Sequence, residues 1–155
     1  MTIEYRQITD AEQRQFWKVV ARGFGGHYTA GQENYRIDRE LLPPATTMCA
    51  IEDREIVGTS ASFPFESAVP GGAIVKNAGV TAVTVATTHR RRGLRNNMML
   101  RLLRQEREKD QPVASLWASE SIIYSRYGFG ISIQHENFLI DTRKAAIKHS
   151  PEIPG

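Results

Sequence analysis

The sequence predicts a mixed α/β fold, a central mixed sheet flanked by helices, and three observations carry that expectation. Strand-like and helix-like segments alternate along the chain. One run is apolar enough to be covered on both faces. A basic, glycine-containing turn joins that run to an amphipathic helix.

Taken in order, "IEYRQI" is short and strand-like. "TDAEQRQFWKVVARGF" opens with capping chemistry (Thr9 or Asp10, then Glu12 or Gln13), repeats Phe16, Val19 and Val20 at helical spacing, and ends near Gly23. "QENYRIDRELL" is a second helix, stopped by Pro43 and Pro44. "TTMCAIE" and "EIVGTSASF" flank the polar turn "DRE", which predicts an antiparallel hairpin. "AIVKNAGVTAVTVA" is small or apolar almost without interruption after Gly79, the pattern of a strand at the centre of a sheet. A helix from about Leu94 to Lys109 follows, with Leu94, Met98, Met99, Leu102 and Leu103 inward and Arg101, Arg104 and Glu108 outward. "VASLWA" reads as the next strand, "SIIYSRYGF" as a short helix and turn, and "ISIQHENFLI" as a last strand.

The 155 residues, 41% hydrophobic and 24% charged, suit one globular domain with a real core, and no repeat or low-complexity tract divides them. Residues 1–140 are assigned to that domain and 141–155 to a basic, proline-containing tail or the start of a linker. Glu4, Arg6 and Asp10 interrupt the N-terminus, and no apolar run reaches membrane length, so a cytoplasmic location without a membrane partner is expected. Cys49 is the one cysteine and lies in a strand-like segment, which makes it core. A net charge of +3 is mild for a nucleic-acid binder, and neither an aromatic platform nor a recognition-helix pattern supports one. His27, His89, His135 and His149 lack metal-ligand spacing, so no metal is expected.

The charge is concentrated instead. "THRRRGLRNN", Thr88 to Asn97, places four arginines around one glycine between the apolar strand and the helix. A strand that turns into a helix N-terminus aims unpaired N–H groups at one spot, where the helix dipole adds positive charge, and such a spot binds phosphate. "GFGG", Gly23 to Gly26, follows a helix and reads as its stop and a loop beside a substrate cleft.

"VTVATTHRRRGLRNNMM" resembles motif A of the GNAT superfamily of N-acetyltransferases: Arg or Gln, two residues, Gly, one residue, then Gly or Ala. Arg90, Gly93 and Arg95 occupy those places, the last being a departure from the pattern. Downstream, "LWASESIIYSRYGFG" adds a Ser-Glu pair at a strand end and a Tyr-x-Arg-Tyr-Gly-Phe-Gly turn. Together these resemble the N-terminal acetyltransferase domain of the Eis (enhanced intracellular survival) type, in motif over about Val80 to Gly130 and in element order over nearly the whole chain. The resemblance implies the GNAT acyl-CoA N-acyltransferase fold and acetyl-CoA as co-substrate.

That implication assigns the pyrophosphate cradle to the backbone from Arg91 to Asn96, through Arg92, Gly93, Leu94 and Arg95, with Gly93 permitting close approach. Arg90 and its neighbours supply fork-shaped guanidiniums for the phosphates, while Arg95 has to point outward and offer only its N–H. The pantetheine arm would pair with Val83, Thr84 and Val85 like an added strand. Ser119 and Glu120 carry over as further contacts, and Tyr124 as the general acid for the departing thiolate. A phenol with pKa about 10 facing a thiol of about 8.5 is an uphill donor by about 2 kcal/mol, which burial of the site makes workable. Arg126, Tyr127, Gly128, Phe129 and Gly130 shape the turn. In long Eis-type chains the C-terminal carboxylate is implicated as base, so this sequence reads as a fragment or a short relative, with Glu120, Glu33 and His27 as local substitutes.

The expected function is acetyl transfer to a primary amine, of an aminoglycoside or a lysine side chain, by direct attack. The alternatives are an acyl-CoA-binding domain with little catalysis and, third, a nucleic-acid binder. A last strand with an open edge bearing Phe138, Leu139 and Ile140 predicts a homo-oligomer or pairing of that edge with the tail.

Overall fold

The computed structural model describes residues 2–28, 40, 42–134, 136 and 138–143. β1 (Glu4–Arg6) leads into a 3-10 turn at Asp10–Glu12 and then α1 (Gln13–Gly23). The Thr9 N–H donates to Glu12 Oε2 at 2.8 Å, half of a capping box, and Arg6 donates to both oxygens of the same carboxylate at 2.8 Å. The helix ends as its glycines dictate. Gly25, at φ +76°, lets its own N–H reach the Arg22 carbonyl (3.2 Å) and the Gly26 N–H reach that of Ala21 (2.8 Å), a Schellman cap. The second helix expected over 32–42 falls mainly on residues outside those described.

β2 (Cys49–Glu52) and β3 (Glu55–Ala68) form the expected hairpin, and Asp53 (φ 50°) and Arg54 (φ 68°) supply the left-handed pair that a type I′ turn requires. β4 (Ile74–Val85) runs back antiparallel to β3. α2 (Leu94–Glu108) then crosses over to β5 (Val113–Leu116), which lies parallel to β4. Among the described residues the sheet has five strands in the order β1-β2-β3-β4-β5. Among them β3 therefore holds the middle and β4 sits next to the outer strand, a different place from the central one its apolar run suggested. Its apolarity comes from helices on both faces rather than from its rank in the sheet.

β4 carries a bulge. Thr59 pairs with Thr84 and Ala61 with Thr81, so β4 spends one more residue than β3 over that interval, and Ala82 takes the left-handed φ of 53°. The extra residue reverses the phase of the side chains. Val80 and Val83 face α2 with Met99 and Leu102, whereas Ala82 packs with Phe16 and Ile51 on the α1 side. Cys49 is fully buried in that second cluster, and burial pushes its thiol up to about 12, which makes it inert core.

α1 comes close to β4 at a position only glycine fits. A Cβ on Gly23 would lie 2.2 Å from Thr84 Oγ1 and 2.5 Å from Thr84 Cβ, and the latter is fixed to the backbone and cannot rotate away. Gly23→Ala is expected to cost about 1–3 kcal/mol, read as a lower denaturant midpoint at unchanged slope.

The last strand expected over 131–140 is not formed by its described residues, which join no ladder; Ile133 and Leu139 are 81% and 102% exposed. Alternation specifies a strand only where a neighbour offers an edge and a face, and among the described residues none pairs with this segment. Among the described residues β5 pairs with β4 alone and is the outer strand.

Candidate active site

β5 pairs with β4 only from Asn77 to Val80, so the bulged end of β4, Thr81 to Val85, has β3 on one side and, among the described residues, no ladder partner on the other. The backbone of Val83, Thr84 and Val85 borders this gap. α2 begins beside it. Its first ladder bond runs from the Asn97 N–H to the Gly93 carbonyl at 3.1 Å, which leaves the N–H groups of Leu94, Arg95 and Asn96 without partners inside the helix.

The turn before α2 is shaped by two left-handed residues, Arg91 (φ 63°) and the N-cap Gly93 (φ 78°). A Cβ at Gly93 would find only Asn97 Nδ2, 3.9 Å away, so the side of the turn that glycine leaves bare is open space. An anion can approach the backbone there.

The arginines do not share one role. Arg92 donates to Glu52 Oε1 at 2.8 Å and to Oε2 at 3.4 Å, so its guanidinium is engaged by the end of β2 instead of standing free for phosphates. His89 Nε2 lies 2.7 Å from the same Glu52 Oε2. Arg90 and Arg91 are exposed and make no ion pair among the described residues. Arg95 is half-buried. Its positive charge works against the upward shift of the Tyr124 phenol.

Tyr124 follows a 3-10 turn at Ser121–Ile123 and is 8% exposed, packed with Val80, Met99 and Leu102 and edge-on to Phe129 at 6.1 Å between ring centres. Burial raises its pKa; Arg95 opposes that shift and Tyr127 adds to it. A phenol kept protonated in a half-dry setting can donate to a leaving group. Val83 packs on the same cluster, so the structure brings the tyrosine and the free flank of β4 together. Ser119 and Glu120 sit exposed at the strand end leading into this turn, and His27 is exposed past α1; Glu33 and His135 lie outside the described residues. The described residues hold no group of three His, Cys, Asp or Glu that could bind a metal. A cavity of about 600 Å³ lined by Pro64, Phe65, Glu66, Lys76, Lys109 and Gln111 opens at the opposite ends of β4 and α2, away from Tyr124.

Two carboxylates tie these parts together and set an acid limit. Hydrogen bonds from Arg92 and then His89 hold Glu52 down at about 2, and those from Arg6 and Thr9 hold Glu12 at about 2, against 4.5 when unperturbed. A carboxylate whose folded pKa is depressed contributes stability above its unfolded value, and that contribution is lost as pH falls through the folded one. The melting temperature is therefore expected to be flat down to about pH 4.5 and to fall between about 4.5 and 2. Glu12→Gln should make that fall shallower in an acid titration of Tm.

Glu52 had no signal in the sequence, because its partners are 37 and 40 residues away. Only its place at a strand end before a tight turn distinguished it.

Comparison with known proteins places this arrangement. The family model described as acetyltransferase (GNAT) domain matches residues 4–132. An uncharacterized N-acetyltransferase of Streptomyces coelicolor is 40% identical over 95% of this chain and 36% of its own length. The N-acetyltransferase Eis of Mycobacterium bovis is 41% identical over 59% of this chain and 23% of its own. The crystal structure of Eis1 from Mycobacterium abscessus superposes with a TM-score of 0.73 at 32% identity, covering 84% of this chain and 31% of that one. The chain thus spans about a third of the length of such relatives. A β4–β5 ladder that ends at Val80, a glycine-capped basic turn before α2 and a buried tyrosine packed on Val80 and Val83 are here joined to those matches, and the chain belongs to the GNAT acetyltransferase family, in its Eis-type branch.

Proposed function

We propose that this domain transfers an acetyl group from acetyl-CoA to a primary amine, of an aminoglycoside or a lysine side chain, by direct attack. The observation that carries the proposal is the convergence of three features on one gap: the unpaired flank of β4, the free N–H groups at the start of α2, and Tyr124. The backbone of Val83, Thr84 and Val85 would bind the pantetheine amides as an added strand does. The N–H groups from Arg91 to Asn96 would hold the pyrophosphate, and Arg90, Arg91 and Arg95 would add charge. Ser119 and Glu120, exposed just before the 3-10 turn that leads to Tyr124, would add further contacts. The neutral amine attacks the thioester carbonyl, the C–S bond breaks, Tyr124 gives its proton to the sulfur, and a base takes the proton from the amine nitrogen.

A second reading has its own support. Glu120 and His27 are exposed, and the chain spans about a third of its relatives, so this domain alone could bind acyl-CoA while the base comes from elsewhere. The proposed location is cytoplasmic; no helix among the described residues is long and apolar enough to cross a membrane. The exposed Phe138, Leu139 and Ile140 and the outer position of β5 support a homo-oligomer.

Thermal shift and thiol release test these readings together. Acetyl-CoA at a hundredfold its Kd should stabilise the fold by about 2.7 kcal/mol, whereas duplex DNA should have no specific effect. Thiol release that depends on an added amine identifies an enzyme. Stabilisation without release identifies the binding domain, and no stabilisation removes both.

A further inference from the structure

We propose that Glu52 is a positioning residue for the phosphate-binding turn, a carboxylate on the rigid sheet that holds residues 89–93 in their anion-receiving shape. The inference rests on the acetyl-CoA reading of that turn.

Glu52 closes β2 and pairs with Glu55 of β3, directly after Ile51, which is paired with both β1 and β3, so its backbone is held by the sheet on one side and by its neighbour. Its side chain, 9% exposed, reaches across to two residues of the turn: His89 through Oε2 at 2.7 Å and Arg92 through Oε1 at 2.8 Å. His89 is fixed at its other nitrogen as well, 2.7 Å from Thr88 Oγ1. Arg92 lies between the two left-handed residues Arg91 (φ 63°) and Gly93 (φ 78°). Arg91 is strained in that conformation because it carries a Cβ, so the turn persists only if its surroundings hold it. Anchoring the residue between them is the most economical way to do so. The partners span the turn, one before it and one within it, and the free N–H groups of α2 start directly after. A carboxylate beside a phosphate site is otherwise hard to account for, since its charge repels the ligand.

That repulsion gives the test a sign. If Glu52 acted only through charge, or competed with phosphate for Arg92, removing its charge would tighten acetyl-CoA binding. If it served the fold alone, affinity below the melting range would not change. A positioning role predicts weaker binding despite the loss of a repelling charge.

The experiment is calorimetry with acetyl-CoA on the full chain, parent against Glu52→Gln, together with amide hydrogen exchange of residues 89–93 without ligand and steady-state kinetics where turnover is measurable. Kd and the KM for acetyl-CoA are expected to rise about tenfold with kcat changed less than about twofold, and the unliganded turn should exchange faster. Glu52→Asp keeps the charge but is too short to span both partners, and should also weaken binding; it decides the matter if Glu52→Gln does not fold. Unchanged or tighter binding in the folded variant, beside a parent that binds, overturns the positioning role. A parent that does not bind acetyl-CoA instead refutes the functional reading beneath it.

Discussion

Tyr124→Phe is expected to lower turnover about a hundredfold while leaving acetyl-CoA affinity almost unchanged. The substitution keeps the ring and with it the contacts to Val80, Met99, Leu102 and Phe129 that make this residue part of the core. Only the proton is removed. A loss confined to kcat would show an interaction made in the transition state, whereas a packing role would appear as lower stability with turnover intact. The pH dependence has a defined direction. A general acid works while protonated, and burial raises the Tyr124 pKa, so the rate should hold through the ordinary phenol range and decline only above it. Thiol release by parent and variant across alkaline pH measures both effects; equal rates would return Tyr124 to packing.

Gly93→Val should weaken acetyl-CoA binding at least tenfold, about 1.4 kcal/mol, with the fold largely intact. Two causes act together. At φ 78° a β-branched residue is strained, so the N-cap would relax toward another conformation and rotate the first N–H groups of α2 away from their common target. The added methyls would also enter the open space beside the turn, where the nearest atom is now 3.9 Å away. Gly93→Asn separates these causes, because asparagine tolerates the left-handed region and restores the backbone while still adding bulk. Calorimetry showing all three proteins alike would remove the cradle.

Much of this architecture was legible in the residues because local rules and tertiary context agree. Thr9 and Glu12 announced α1, "DRE" the tight hairpin, and the spacing of Leu94, Met98, Met99 and Leu102 the buried face of α2. What was not legible depended on neighbours. "VTAVTV" breaks its alternation where Ala82 adjoins Val83, but only the pairing with β3 shows that break to be a bulge that shifts the phase of the strand. The apolar run of β4 implied cover on both faces, which α1 and α2 supply, but not its place beside the edge. Residues 131–140 have the pattern of a strand without a described partner, and their apolar side chains stay exposed. In the site, glycine and charge marked the turn from sequence alone. The pairing of Arg92 with Glu52 arises from a contact between distant segments that no local spacing encodes.

The central claim is that acetyl-CoA binds along the free flank of β4 and over the start of α2. Amide chemical-shift mapping on titration with acetyl-CoA tests it most directly, since each reporter is one of the N–H groups in question. The largest changes are expected at Val83 to Val85 and Arg91 to Asn96, with smaller ones at Ser119, Glu120 and Tyr124. Saturable changes centred instead on the cavity lined by Phe65, Lys76 and Lys109, or no changes at all, would contradict the account.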